Sequence, residues 1–171
     1  MAAYTTPHSL DPRRHALTAF RCRSAAIEAW LQRHAVNSHQ GNFPHVTVTT
    51  PHGSDEVVAF YALCAAAIEH TAAPEALTRG GGQHPIPAIL LAQLGVHTQH
   101  EGRGLGRHMV LDAIRRSSAI STHLGARALM VHCESRAARD FYLSVLPSFV
   151  PLPGEPMTLV LSMKAIKATG L

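Results

Sequence analysis

Gln99-His100-Glu101-Gly102-Arg103-Gly104-Leu105-Gly106-Arg107-His108-Met109 is the stretch from which the architecture can be read. It follows an apolar run, Ile89-Leu90-Leu91-Ala92-Gln93-Leu94-Gly95-Val96, and precedes an amphipathic helical pattern. Three glycines therefore fall where a strand gives way to a helix. Glycine lets the main chain take positive φ and approach a ligand with no Cβ in the way. The first N–H groups of the following helix point forward at whatever sits there. This is the chemistry of an anion-binding loop, and a phosphorylated cofactor suits it.

The strand before the loop, expected over 88–97, is apolar over most of its length, as a central strand covered on both faces would be. After the loop, Leu105, Met109, Val110, Ala113, Ile114 and Leu124 mark the buried stripe of a long helix ending near Gly125. Arg127–Cys133 is the next strand, Ser135–Leu146 a further helix and Met157–Met163 a final strand. Strand, helix, strand from 88 to 133 predicts a crossover and parallel pairing. Upstream, Ser24 caps a helix with apolar positions Ile27, Trp30, Leu31 and Ala35, ending near Asn37. Phe43–Thr50 and Val57–Leu63 flank the turn Pro51–Asp55 and predict a hairpin. A short helix is expected over 73–77 and a flexible surface loop over 79–87. Residues 1–13 are expected to be a loose arm, with one domain over 14–171.

At 171 residues and 46% hydrophobic content the chain can build one core. No apolar run approaches the roughly 20 residues needed to span a bilayer, and the first residues lack the pattern of a signal peptide, so a cytoplasmic protein with no membrane partner is expected. Cys22, Cys64 and Cys133 are far apart and odd in number, which reads as small core residues and not as a disulfide framework. The 13 histidines show no ligand spacing on a strand or helix face, so no metal is expected. A net charge of +4 favours a polyanionic partner.

Nucleotides, dinucleotides and coenzyme A all use such loops. No Gly-Lys-Ser/Thr follows this one, which removes a P-loop nucleoside triphosphatase. A hairpin precedes it and no acidic residue ends a strand about 20 residues later, against a dinucleotide fold. Coenzyme A remains.

Glu101-x-x-Gly104-x-Gly106 resembles the Gln/Arg-x-x-Gly-x-Gly/Ala loop of the GNAT acyltransferase superfamily, and Ser135-x-x-Ala138-x-x-Phe141-Tyr142 resembles its second signature, Asn-x-x-Ala-x-x-Phe-Tyr. The resemblance extends to the acetyltransferase toxins of bacterial type II toxin–antitoxin modules. Its marks are Phe20-x-Cys22, Trp30-Leu31, Val57–Leu63, Pro85-Ile86-Pro87 and Pro156–Leu159, and it covers nearly all of 14–166. It implies an α/β (α+β) GNAT fold: a mixed, mostly antiparallel sheet with one splayed parallel strand pair and helices on both faces.

It further implies acetyl-CoA as co-substrate. The main chain of Leu94 and Val96 would hold the pantetheine arm, and Glu101, Gly102, Arg103, Gly104, Leu105, Gly106 and Arg107 the diphosphate, with Ser135 at the second signature. Tyr142 would be the general acid toward the departing thiolate. The implied acceptor is the α-amine of an aminoacyl-tRNA, whose acetylation blocks translation, and the implied partners are a ribbon-helix-helix antitoxin and a second copy of the chain. Four positions depart from the pattern. Glu101 replaces Gln or Arg, and a carboxylate beside a diphosphate is unfavourable unless it points away. Ser135 replaces Asn, while Arg23 and Gln93 stand where the toxin branch commonly has Gly and Arg. The alternative readings are a GNAT enzyme acting on a small amine or a protein N-terminus, and a catalytically silent GNAT-fold binding module.

Overall fold

The computed structural model describes residues 3–171. Its strands are β1 (His8–Ser9), β2 (His45–Thr49), β3 (Ala59–Ile68), β4 (Ile86–Val96), β5 (Ala128–His132), β6 (Val150–Leu152) and β7 (Glu155–Ser162). Its helices are α1 (Ala25–Arg33), α2 (Ala35–Gln40), α3 (Glu75–Thr78), α4 (Leu105–Ile120), α5 (Arg136–Val145) and α6 (Met163–Ala168). The strands form one seven-stranded sheet in the order β1-β2-β3-β4-β5-β7-β6. β4 pairs parallel with β5, while β1/β2, β2/β3, β5/β7 and β6/β7 are antiparallel. A mixed sheet with one parallel pair is the expected fold.

The chain divides into two compact units. The first comprises the chain up to Cys64 together with Ala92–Asp112. Its core gathers Phe20, Leu31, Ala35, Val46, Val48, Phe60 and Ala62, with Ile27 and Trp30 packed against it. Each buried aromatic or branched side chain contributes about 1.5–3 kcal/mol. Trp30 stacks on Phe60 with centroids 6.0 Å apart, and Phe20 meets Phe60 edge-on at 5.5 Å. Ser24 caps α1 by accepting the N–H of Ile27. The helix expected to run to Asn37 breaks at His34, whose φ of −120° leaves the helical region, and α2 resumes to Gln40.

The segment expected to be a loose arm is tied down from Tyr4 onward; Met1 and Ala2 lie outside the described residues. Thr5 donates its N–H to the Thr50 carbonyl, β1 pairs with β2, and Leu10 is buried. Short polar segments such as this carry no periodicity. The partner strand's main-chain groups hold them instead.

The second unit comprises Ala65–Leu91 and Ala113–Leu171, with Ile68, Leu77, Ile86, Ala88, Ala128, Met130, Leu152 and Val160 at its core. β4 and β5 are in register from Ala88↔Ala128 to Leu91↔Val131. The long helix ends at Ile120 and not near Gly125, and Leu124 is exposed. The 79–87 loop is shorter than expected, because β4 already begins at Ile86. Arg127 donates from Nη1 to the carbonyls of Leu77 and Arg79 and so fastens the start of that loop. Of the three free cysteines Cys133 is buried, whereas Cys22 and Cys64 are half-buried. Among the described residues no helix is long and apolar enough to cross a membrane.

Candidate active site

The residues singled out in the sequence fall into two groups, one in each unit. In the first, β4 carries Leu94 and Val96, both half-buried, beyond its last registered pair with β5. Gly95 between them is fully enclosed. A Cβ there would lie 2.8 Å from Phe60 Cε1 and 3.0 Å from Ile27 Cγ2, so the strand end is pressed onto the aromatic core.

From Val96 the chain passes through a 3₁₀ turn, Thr98–His100, into the glycine loop. Gly102 and Gly104 have φ of +73° and +79°, and a Cβ on either would meet nothing within 4 Å. The glycines are there for conformation and the space above them is open. Leu105 starts α4, and the His108 N–H donates to the Gly104 carbonyl as the helix begins. The amides of a first helical turn face out of the helix and favour negative charge. A diphosphate fits this cradle: main-chain donors at the end of a 16-residue helix, no side chain over the glycines, and exposed Arg103 and Arg107 beside it.

Glu101 is the residue that such a cradle should reject. Its carboxylate is held by Arg23, with Nε 3.0 and 2.9 Å from the two oxygens and Nη2 2.8 Å from Oε2. Two departures from the family pattern thus meet each other. Arg103 donates through Nη1 to Tyr4 Oη at 3.0 Å, and Tyr4 Oη lies 2.9 Å from His100 Nδ1. Burial, then the Arg103 and His97 charges, lowers the His100 pKa, which favours the neutral ring beside Tyr4. Tyr4, Thr5, Thr6, Arg103, Leu105 and His108 line a cavity of about 300 Å³. Sequence reasoning missed Tyr4, because the N-terminal segment has no helical or strand period.

In the second unit, Ser135 Oγ accepts the Ala138 N–H and caps α5. Its side chain sets where the helix starts. Seven residues on, two helical turns later, Tyr142 is only 6% exposed and lies against Phe141 and Phe149, with ring centroids 5.4 and 6.0 Å away. Phe149, four residues past the end of α5, was not foreseen as a neighbour of Tyr142. Arg139 fastens α5 by donating to the Pro156 carbonyl at 2.9 Å. Burial, with Cys133 and Glu134 nearby, pushes the Tyr142 phenol far above its usual pKa. It stays protonated across the physiological range, as a donor to a developing anion must. Among the described residues no group of three or more His, Cys, Asp or Glu is placed to hold a metal ion.

A mixed sheet with a parallel strand pair and a glycine loop at a helix start match the GNAT class of N-acetyltransferases. A tRNA-acetylating toxin of Mycobacterium tuberculosis (strain ATCC 25618 / H37Rv) is 33% identical to this chain over 168 residues, covering 98% of each. The chain belongs to that family, the acetyltransferase toxins. No family model matches it. Among solved structures, AtaT complexed with acetyl-methionyl-tRNAfMet superposes with a TM-score of 0.88 at 23% identity, over 98% of this chain and 99% of that one. A variant of AtaT bound to the C-terminus of the antitoxin AtaR and acetyl-CoA gives 0.83 at 23% identity, over 99% of each.

Proposed function

We propose that this protein transfers acetyl from acetyl-CoA to the α-amine of an aminoacyl-tRNA and thereby blocks translation. In the same reading it is a cytoplasmic homodimer restrained by a ribbon-helix-helix antitoxin. The observation that carries the proposal is the glycine cradle, with positive φ at Gly102 and Gly104 and open space above both. The family relation and the tRNA and antitoxin complexes of AtaT support the choice of acceptor and partner.

Acetyl-CoA would supply a thioester whose carbonyl carbon the amine attacks. The main chain of Leu94 and Val96 would align the pantetheine arm like an added strand. Backbone amides from Gly102 to Arg107 would take the diphosphate, with Arg103 and Arg107 adding charge-assisted contacts. As the carbon–sulfur bond breaks, Tyr142 gives a hydrogen bond or its phenolic proton to the sulfur, and a proton from water then restores the phenol. The amine loses its proton to water. No side-chain base is required, because an aminoacyl ester amine is less basic than the roughly 7.7–8.0 of an ordinary α-amine and is substantially neutral near pH 7.5. Ser135 acts by setting the start of the helix that carries Tyr142. The Arg23 partner of Glu101 and the capping role of Ser135 support an enzyme over a silent binding module, since neither departure is left as a lesion.

Incubation with labelled acetyl-CoA and a set of charged tRNAs tests the proposal. Label is expected on aminoacyl-tRNA and not on deacylated tRNA. Label confined to polyamines or peptides would transfer the reading to a small-amine or N-terminal acetyltransferase.

A further inference from the structure

We propose that Arg23 is a cofactor-positioning residue: by holding the Glu101 carboxylate it cancels a negative charge at the mouth of the diphosphate cradle and makes this variant loop competent to bind. The inference rests on the acetyl-CoA reading above and adds a residue and a role to it.

Glu101 immediately precedes the first left-handed glycine, so a free carboxylate there would oppose a diphosphate held by the loop amides. Arg23 reaches it from the residue just before the Ser24 cap of α1, 78 positions earlier in the chain. The contact engages both carboxylate oxygens through Nε and Nη2, the planar fork arrangement available to arginine and not to lysine. Exposure tells what the pair is for. The Arg23 side chain is 83% exposed and that of Glu101 30%, and an ion pair in contact with water adds little to folding. Its effect on the local field is larger than its effect on stability, because the cradle's ligand carries like charge. The guanidinium also fixes the direction of the Glu101 side chain, leaving the glycine amides unobstructed.

Titration calorimetry with acetyl-CoA on the full chain tests this with Arg23→Ala, Arg23→Lys, Glu101→Gln and the double variant Arg23→Ala/Glu101→Gln. A uncompensated unit charge near a doubly charged group in a water-like dielectric corresponds to about a tenfold change in Kd. Arg23→Ala is therefore expected to weaken binding about tenfold at low salt, with Arg23→Lys between it and the parent. The double variant is expected to return to within about twofold of the parent, and raising salt to ~1 M should shrink the Arg23→Ala defect, as Coulombic repulsion requires. A merely structural role would show neither rescue nor salt dependence. Arg23→Ala binding like the parent, or a double variant as weak as Arg23→Ala, would overturn the inference while leaving the acetyl-CoA reading intact. Absence of binding by the parent chain would overturn that reading, and this inference with it.

Discussion

The glycine cradle and the helix that carries Tyr142 share no physical strategy. Around Gly102 and Gly104 the surface is open, the donors are main-chain amides and the side chains are exposed. Around Tyr142 the phenol is withdrawn from water and wedged between Phe141 and Phe149. Binding that relies on backbone direction tolerates side-chain change as long as an added charge is offset, as Arg23 offsets the Glu101 carboxylate. Proton donation that relies on one side chain in one environment tolerates none.

Tyr142→Phe presses hardest on this contrast. It keeps the ring packing and removes only the hydroxyl, so turnover should drop about 10²–10⁴-fold with acetyl-CoA affinity within a factor of two. Single-turnover rates and titration calorimetry measure the two separately, and full turnover would remove the acid role. Gly104→Ala acts on the other region: a φ of +79° costs an alanine about 1–2 kcal/mol, so cofactor affinity should fall about tenfold with kcat at saturation nearly unchanged. A fall in kcat without a change in affinity would erase the division of labour. Ser135→Ala removes the cap of α5 and should cost about 1 kcal/mol of stability, seen as a lower Tm, with affinity for acetyl-CoA preserved. Loss of affinity instead would make Ser135 a cofactor contact.

The smallest effect expected is with pH. His15, His39 and His100 are lowered from 6.5, chiefly by burial. The unfolded chain therefore binds protons first as pH drops, and stability declines from about pH 6.5 downward until the folded-state pKa values are passed. Thermal melts at pH 7.5 and 5.5 should show a lower Tm at the acid value. An unchanged Tm would mean that the three rings are as easily protonated folded as unfolded.

What the sequence disclosed follows from how local the causes are. The apolar run 89–96, the glycines of the cradle and the stripe Leu105, Met109, Val110, Ala113 and Ile114 are written in consecutive or helically spaced residues, and each is found as read. The α1 cap at Ser24 was legible for the same reason, whereas Ser135, read as a cofactor contact, is the cap of α5. β1, β6 and α6 are only two, three and six residues long, too short for any periodicity to announce them. The stop of α4 at Ile120 was missed because Leu124, ten residues past Ile114, was read into the apolar stripe, whereas the fold leaves it in solvent. In the candidate site the Arg23–Glu101 pair was present as two separate oddities. Their opposite charges were the signal that could have joined them.

Tyr4 has a practical corollary. Because its hydroxyl contacts both Arg103 and His100, the beginning of the chain is wired to the loop that would handle the cofactor. A substitution or cleavage near Tyr4 would register as altered ligand handling and be mistaken for a change in the loop itself.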